Sequence, residues 1–223
     1  TIVAAALAFA GTGIFLLPRR MRLPLVALII VLVTLTILRA DRLPDGVIAE
    51  VESPYQLIRV VEEGSRRKLT FNEGAGFQSI YDPSARRSGL YTDYVGVTPL
   101  LRLYIDGHRL LILGLAGGSV ARQSDDFVPE DASVEIVGVE VDPAVVRIAR
   151  EYFALDDTGV EVRVRDARIE LLATSERYDT IVADAYSVQL TIPPHLATVE
   201  FFALAKTRLL PGGDVRRPEA GGE

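Results

Sequence analysis

The chain has 223 residues, 49% of them hydrophobic, and a formal net charge of -6. It contains no cysteine, which excludes disulfides and thiolate metal sites. The acidic balance argues against a nucleic-acid partner, which would require a basic face, and suits a cationic substrate better.

Two uncharged stretches come first: residues 1–17, TIVAAALAFAGTGIFLL, and, after PRRMR, residues 23–38, LPLVALIIVLVTLTIL. Each is slightly shorter than the roughly 20 residues that span a bilayer, a shortfall that snorkelling arginines can cover. Neither carries a polar stripe, and two runs split by PRRMR do not fit a signal peptide. Two transmembrane helices within residues 1–40 are therefore expected, the alternative being a helical hairpin buried in a soluble domain. Arginines flank the second run on both sides, so orientation stays open. The chain starts at Thr1 rather than Met, which leaves room for further spans upstream.

Residues 46–84 change character. VIAEVES, YQLIRVVEEG, RKLTFNEG and FQSIYD are short β-branched or alternating segments divided by Gly, Asn and Asp turns, and predict a small antiparallel sheet. The clusters Arg66-Arg67-Lys68 and Arg86-Arg87 read as solvated turns. SGLYTDYVGVTPLLRLY then places Leu90, Tyr94, Val97, Leu101 and Tyr104 at helical spacing.

From Arg109 the rhythm is strand, loop, helix. RLLILGLA, VEIVGVEV, VEVRVRDA and YDTIVADAY have strand length and β-rich composition. VDPAVVRIAREYF and RIELLATSE are helical, the first with Asp142 as cap and Pro143 in its first turn. Such alternation predicts a parallel sheet with helices on both faces and ligands outside the carboxyl ends of its strands. The expected domain covers 85–213 and is incomplete, because TVEFFALAKTRLLPGG leads into only one more strand. Residues 214–223 are polar and expected to be a disordered tail.

The stretch LLILGLAGGSVAR holds the first candidate site residues. Gly114 ends a strand, and Gly117 and Gly118 open the next segment, where absent side chains would let a ligand reach the backbone and a helix N-terminus. Glu140 ends the following strand 22 positions after Gly118, close to the roughly 20 at which such folds place a ribose-gripping carboxylate. Asp166 and Asp184 end the next two strands. Three carboxylates at successive strand ends beside a glycine loop predict an adenosine pocket. Asp166 could equally be a helix cap. His195, in IPPHL, reads as a loop residue without a role, and His108 as a plain turn; a metal site is not expected.

Taken together, ESPYQLIRV, the Gln-Ser pair at Gln78, LLILGLAGGSVAR, VEVDPAVVRIAREYF, RDAR and YDTIVADAY resemble the spermidine synthases, the polyamine aminopropyltransferases. The resemblance runs from about Glu52 to Gly213. It implies a Rossmann-like, class I methyltransferase-like domain behind a small β domain, transferring an aminopropyl group from decarboxylated S-adenosylmethionine to an amine. It also implies dimers, and a family in which bacterial members carry fused membrane spans. By the resemblance Glu140 holds the ribose, Asp166 the adenine side, and the loop of Gly114, Gly117 and Gly118 the thioether portion. Gln78 lines the pocket, Tyr91 and Asp93 lie on the amine side, and Asp184 takes the catalytic position. An intracellular co-substrate would place this domain in the cytoplasm, under a multi-pass membrane segment with lipid as a partner.

There are departures. The family loop reads GGGDGG, so that Gly117 stands where its acid stands, and Ser187 replaces a second aspartate. Loss of carboxylates weakens the hold on a cationic diamine, so an altered acceptor or reduced activity is also expected. Two further readings stay open: methyl transfer from S-adenosylmethionine itself, and a non-catalytic membrane protein that senses a nucleoside or a polyamine.

Overall fold

The computed structural model describes residues 18–40, 43–72, 76–85, 87–99, 107–129, 132–186 and 191–216, with side chains described at all of these except 35–40 and 213–216. The chain divides into two compact units, Thr1–Asp45 and Gly46–Glu223.

In the first unit, helix α1 spans Arg19–Ala40. Among the described residues no helix is long and apolar enough to cross a membrane, so the span expected over residues 23–38 is not found. Helix α1 starts inside the basic PRRMR segment, with Arg19, Arg20 and Arg22 about its first turn and Pro24 in its second. The uncharged run that follows, residues 23–38, reaches only about 24 Å at ~1.5 Å per residue, against ~30 Å of hydrocarbon. The other expected span, residues 1–17, lies outside the described residues.

The second unit opens with four antiparallel strands in the order β1-β2-β3-β4: β1 (Val47–Glu52), β2 (Leu57–Glu63), β3 (Arg66–Phe71) and β4 (Ser79–Tyr81). Alternation along β2 sends Ile58 and Val60 inward, where they meet Leu69 and Phe71 of β3. Arg66, Arg67 and Lys68 are not turn residues. They begin β3: Arg67 pairs with Glu62, its register partner on β2, Lys68 reaches diagonally to Glu63, and Arg66 pairs with Asp82 just past β4. The helix expected over 88–104 is the six-residue α2 (Tyr91–Gly96), and residues 100–106 lie outside the described residues.

The remaining elements alternate: β5 (His108–Leu113), α3 (Ser119–Phe127), β6 (Val134–Glu140), α4 (Pro143–Tyr152), β7 (Glu161–Val164), α5 (Ala167–Ala173), β8 (Tyr178–Ala183), α6 (Val199–Thr207) and β9 (Leu209–Arg216). All pairings are parallel, in the order β7-β6-β5-β8-β9. The apolar run HRLLIL is buried almost throughout, as a central parallel strand covered on both faces must be. His108 is thus a buried strand residue rather than a turn. Strand β9 continues to Arg216, three residues into the expected tail, with Asp214, Val215 and Arg216 paired to β8.

Two apolar layers cover the sheet. Leu110, Ile112, Val120 and Val146 belong to one, and Leu111, Leu113, Leu171, Ile181 and Phe201 to the other. The antiparallel sheet packs on α4 through Ile58, Val60, Leu69 and Phe71 against Val145, Ile148 and Phe153.

Strand order reverses at β5, whose neighbours are β6 and β8, and the crevice of such a fold opens at that reversal. There the chains come very close. Gly114 has φ 99°, and a Cβ on it would lie 2.4 Å from the carbonyl oxygen of Asp184. Gly114→Ala is expected to lower stability by about 3 kcal/mol or more through backbone strain and this clash. Urea unfolding checks it, and a change below about 0.5 kcal/mol would refute the account.

Candidate active site

Register sets the site. Leu113 of β5 pairs with Val139 of β6 and with Ala183 of β8, so the next residues, Gly114, Glu140 and Asp184, stand side by side at the strand ends. The ladder continues one step further, with the Gly114 N–H on the Val139 carbonyl at 2.9 Å and the Asp184 N–H on the Leu113 carbonyl at 2.8 Å. Asp166 follows two residues after Val164, the partner of Glu140 on β7.

These strand ends form one wall of a cavity of about 290 Å³. Gly114, Ala116, Glu140, Asp166, Asp184 and Gln78 all line it. The antiparallel sheet supplies the opposite side with Tyr55, Gln56 and Phe71, and Pro193, His195 and Leu196 close the rim. The volume is at the lower edge of the ~300–1,000 Å³ usual for small-molecule pockets.

Glu140 is buried, and both its oxygens are held: Oε2 accepts the Ala116 N–H at 3.0 Å, and Oε1 accepts the Asp142 N–H at 3.1 Å. Burial raises its pKa, and those N–H groups oppose the rise. Asp142 is wholly buried and caps α4 through Ala144 at 2.8 Å, as the sequence predicts. Asp184 accepts a hydrogen bond from the Tyr91 hydroxyl, which lies 3.1 and 3.0 Å from its two oxygens. Burial pushes the Asp184 carboxyl up to about 7, against the opposing Tyr91 bond. Desolvation and the neighbouring Asp184 push the Tyr91 phenol well above its ordinary range. Tyr91 reaches Asp184 from behind, lining a small cavity of about 10 Å³ that shares Gln78, Gly114, Ala116 and Asp184 with the larger one.

Asp166 does two things at once. Its Oδ1 caps α5 by accepting from Arg168 and Ile169 N–H groups at 2.9 and 3.0 Å, while Oδ2 pairs with His195 Nε2 at 2.9 Å. Burial acts to raise its pKa, but the Ile169 N–H and His195 outweigh that and hold it below the usual range.

Not every expected residue is brought to the cavity. Gly117 and Gly118 line neither cavity wall. The missing Cβ of Gly117 admits Ser79, which accepts the Gly117 N–H at 2.9 Å, and that of Gly118 admits Leu155. Their absent side chains serve internal packing, because a Cβ would lie 2.7 Å from Ser79 Cβ or 2.5 Å from Leu155 Cδ1. Asp93 turns away to bind the hydroxyl and N–H of Ser88 and the N–H of Gly89, closing its own turn. Ser187 lies outside the described residues. Conversely, His195 is a cavity residue that its loop setting in IPPHL does not reveal. Tyr55 and Gln56 are two more, brought there by the β1–β2 turn. Among the described residues no group of three His, Cys, Asp or Glu is placed to hold a metal.

The fold is a Rossmann-like α/β fold of the class I methyltransferase-like type, with an added antiparallel sheet. It superposes on a probable spermidine synthase from Corynebacterium glutamicum with a TM-score of 0.64 at 23% identity, covering 76% of this chain and 62% of that one. A spermidine synthase solved in complex with the transition-state analogue AdoDATO gives 0.59 at 20% identity, covering 73% and 54%. No protein-family model matches the chain. In sequence, the chain is 34% identical over 164 residues to a probable polyamine aminopropyl transferase of Bifidobacterium longum, covering 74% of this chain and 35% of that protein. It is 34% identical over 176 residues to a polyamine aminopropyltransferase of Vibrio vulnificus, covering 75% and 57%. The chain is thus similar in sequence to polyamine aminopropyltransferases and shares the fold of spermidine synthases. The chain spans about a third to just over half of the length of these curated relatives.

The Asp166–His195 pair yields a direct expectation. His195→Ala removes a group that lowers the Asp166 pKa, so NMR titration of the Asp166 carboxyl should show a rise. An unchanged titration would mean that the helix cap alone sets it.

Proposed function

We propose that the chain carries the nucleoside-binding and catalytic part of an aminopropyltransferase, which moves an aminopropyl group from decarboxylated S-adenosylmethionine to an amine. One observation carries the reading: a carboxyl at the switch-point crevice, Asp184, is held near pH 7 with Tyr91 behind it. A general base works best when its pKa lies near the working pH. The relatives' names and the shared fold support the same chemistry.

In this reading the amine nitrogen attacks the methylene carbon next to the sulfonium sulfur. A C–N bond forms, the C–S bond breaks with its electron pair going to sulfur, and the amine proton passes to Asp184. The leaving group is neutral methylthioadenosine. Glu140, already fixed by two backbone N–H groups, has lone pairs left to accept the ribose hydroxyls. Asp166 serves the base, and Gln78 lines the same pocket. Aligning nucleophile and leaving group lowers much of the remaining barrier.

Asp184→Asn is expected to abolish methylthioadenosine release when the protein is incubated with the co-substrate and a panel of diamines. In the native protein the rate should rise with pH through about 7, as Asp184 ionises. Stability moves the other way. The raised carboxyl stabilises the fold below its unfolded pKa of about 4, and that contribution is lost as pH climbs through about 7. Urea unfolding of Asp184→Asn should lack this loss, so the variant gains on the native protein as pH rises. Release undiminished in the variant would overturn the role of Asp184, and no release by the native protein would overturn the reading.

Lipid contact by α1 belongs to the same proposal, supported by exposed Leu23, Leu28, Ile30, Val31 and Leu32. Phosphatidylcholine vesicles should float the full chain and not a chain beginning at Gly46. Equal behaviour of the two would remove lipid from the account.

A further inference from the structure

The β1–β2 turn, ESPYQL, sits at the cavity without contributing a charged group, yet its Ser53 hydroxyl meets four polar atoms. Ser53 N–H donates to the Gln56 carbonyl at 2.9 Å and closes the turn. Ser53 Oγ accepts from the N–H groups of Tyr55 and Gln56, each at 3.1 Å. A hydroxyl has two lone pairs and one proton. With both lone pairs taken, its proton has two acceptors in reach, the Gln56 carbonyl at 3.0 Å and Asp142 Oδ2 at 2.5 Å. The carbonyl already has a donor, and the ionised carboxylate is both the nearer and the stronger acceptor. The proton therefore goes to Asp142, 89 positions away in sequence.

Asp142 is 0% exposed, and the half-buried Ser53 supplies the hydroxyl donor to its Oδ2. Its other oxygen is committed to Ala144 N–H, and its own N–H to Glu140 Oε1. Glu140 thus depends on the Asp142 backbone staying where it is, and the Asp142 side chain depends on Ser53.

We infer that Ser53 is a positioning residue for the nucleoside site, acting through Asp142 to fix Glu140. The inference rests on the proposed reading of Glu140 as a nucleoside-binding carboxylate. Removing the hydroxyl leaves Asp142 Oδ2 buried without its donor, and a buried acceptor in that state costs more than the bond itself. The turn then shifts to relieve it, and Glu140 loses one of its two backbone donors.

The test is binding of methylthioadenosine measured by calorimetry at a temperature where circular dichroism shows each variant folded. Ser53→Ala is expected to raise Kd about tenfold, the effect of one lost charge-assisted bond. Ser53→Thr, which keeps the hydroxyl, should restore native affinity, and Ser53→Cys, a weaker donor, should fall between and stands in if the alanine variant fails to fold. In a double-mutant cycle, Ser53→Ala in a Glu140→Gln background should add little, because Ser53 acts through Glu140. In turnover, KM for the nucleoside co-substrate should rise with kcat nearly unchanged.

A purely structural role would lower the unfolding midpoint and leave Kd unmoved, which overturns the inference while the proposed function stands. Full additivity with Glu140→Gln would overturn it too, assigning the effect to Tyr55 and Gln56 instead. If the native protein binds no methylthioadenosine, the nucleoside reading fails first and the inference with it.

Discussion

The structure depends on two carboxylates buried within three residues of each other. Glu140 and Asp142 flank Val141 at the end of β6, both buried, and the Asp142 charge adds to the cost of ionising Glu140. Burial of unpaired charge is strongly unfavourable, so the fold must bring donors to this point. It brings four: the N–H groups of Ala116, Asp142 and Ala144, and the Ser53 hydroxyl. These come from the glycine loop, the turn itself, the first turn of α4 and the antiparallel sheet. Satisfying one pair of acids therefore ties the second unit's two sheets together at the cavity.

The same requirement explains why the site carries so little slack. Gly114 passes so near the Asp184 backbone that no side chain fits, and Gly117 and Gly118 are filled from behind by Ser79 and Leu155. Ala116 holds φ 47°, an uncommon conformation for a residue with a Cβ, and its N–H is thereby aimed at Glu140. Local strain of this kind persists where surrounding contacts over-determine it, and it tends to gather where function needs fixed geometry. Asp184 shows the corresponding electrostatic tension. It is placed where its ionised form is disfavoured, with one phenol to offset the lost water.

Much of this was legible in the chain. The apolar runs at 109–113, 134–140 and 178–183 announce parallel strands, because buried central strands need no polar alternation. Asp142 with Pro143 announces the start of α4, and the small β domain follows from its turn residues. The spacing from Gly118 to Glu140 correctly brought Glu140 to the cavity, as did the strand-end positions of Asp166 and Asp184. Each of these signals is local: a period, a cap or an offset within one strand–loop–helix unit.

What local signals could not give was direction. Gly117 and Gly118 read as a ligand cradle, but whether a missing Cβ makes room for a ligand or for Ser79 depends on β4, some forty residues upstream. Asp93 carries the charge expected of an amine site, yet its own turn at Ser88 and Gly89 claims it. His195 gave no signal, because its partner Asp166 lies 29 positions away and the pair forms only when α5 meets the rim. The length and hydropathy of residues 23–38 suggested a span, yet among the described residues no helix is long and apolar enough to be one. By itself, then, the sequence determined which segments become strands and helices and which acids end the strands, since those follow from near neighbours. Only the tertiary structure decided which polar groups face the cavity and which face protein, since partners distant in the chain compete for each of them.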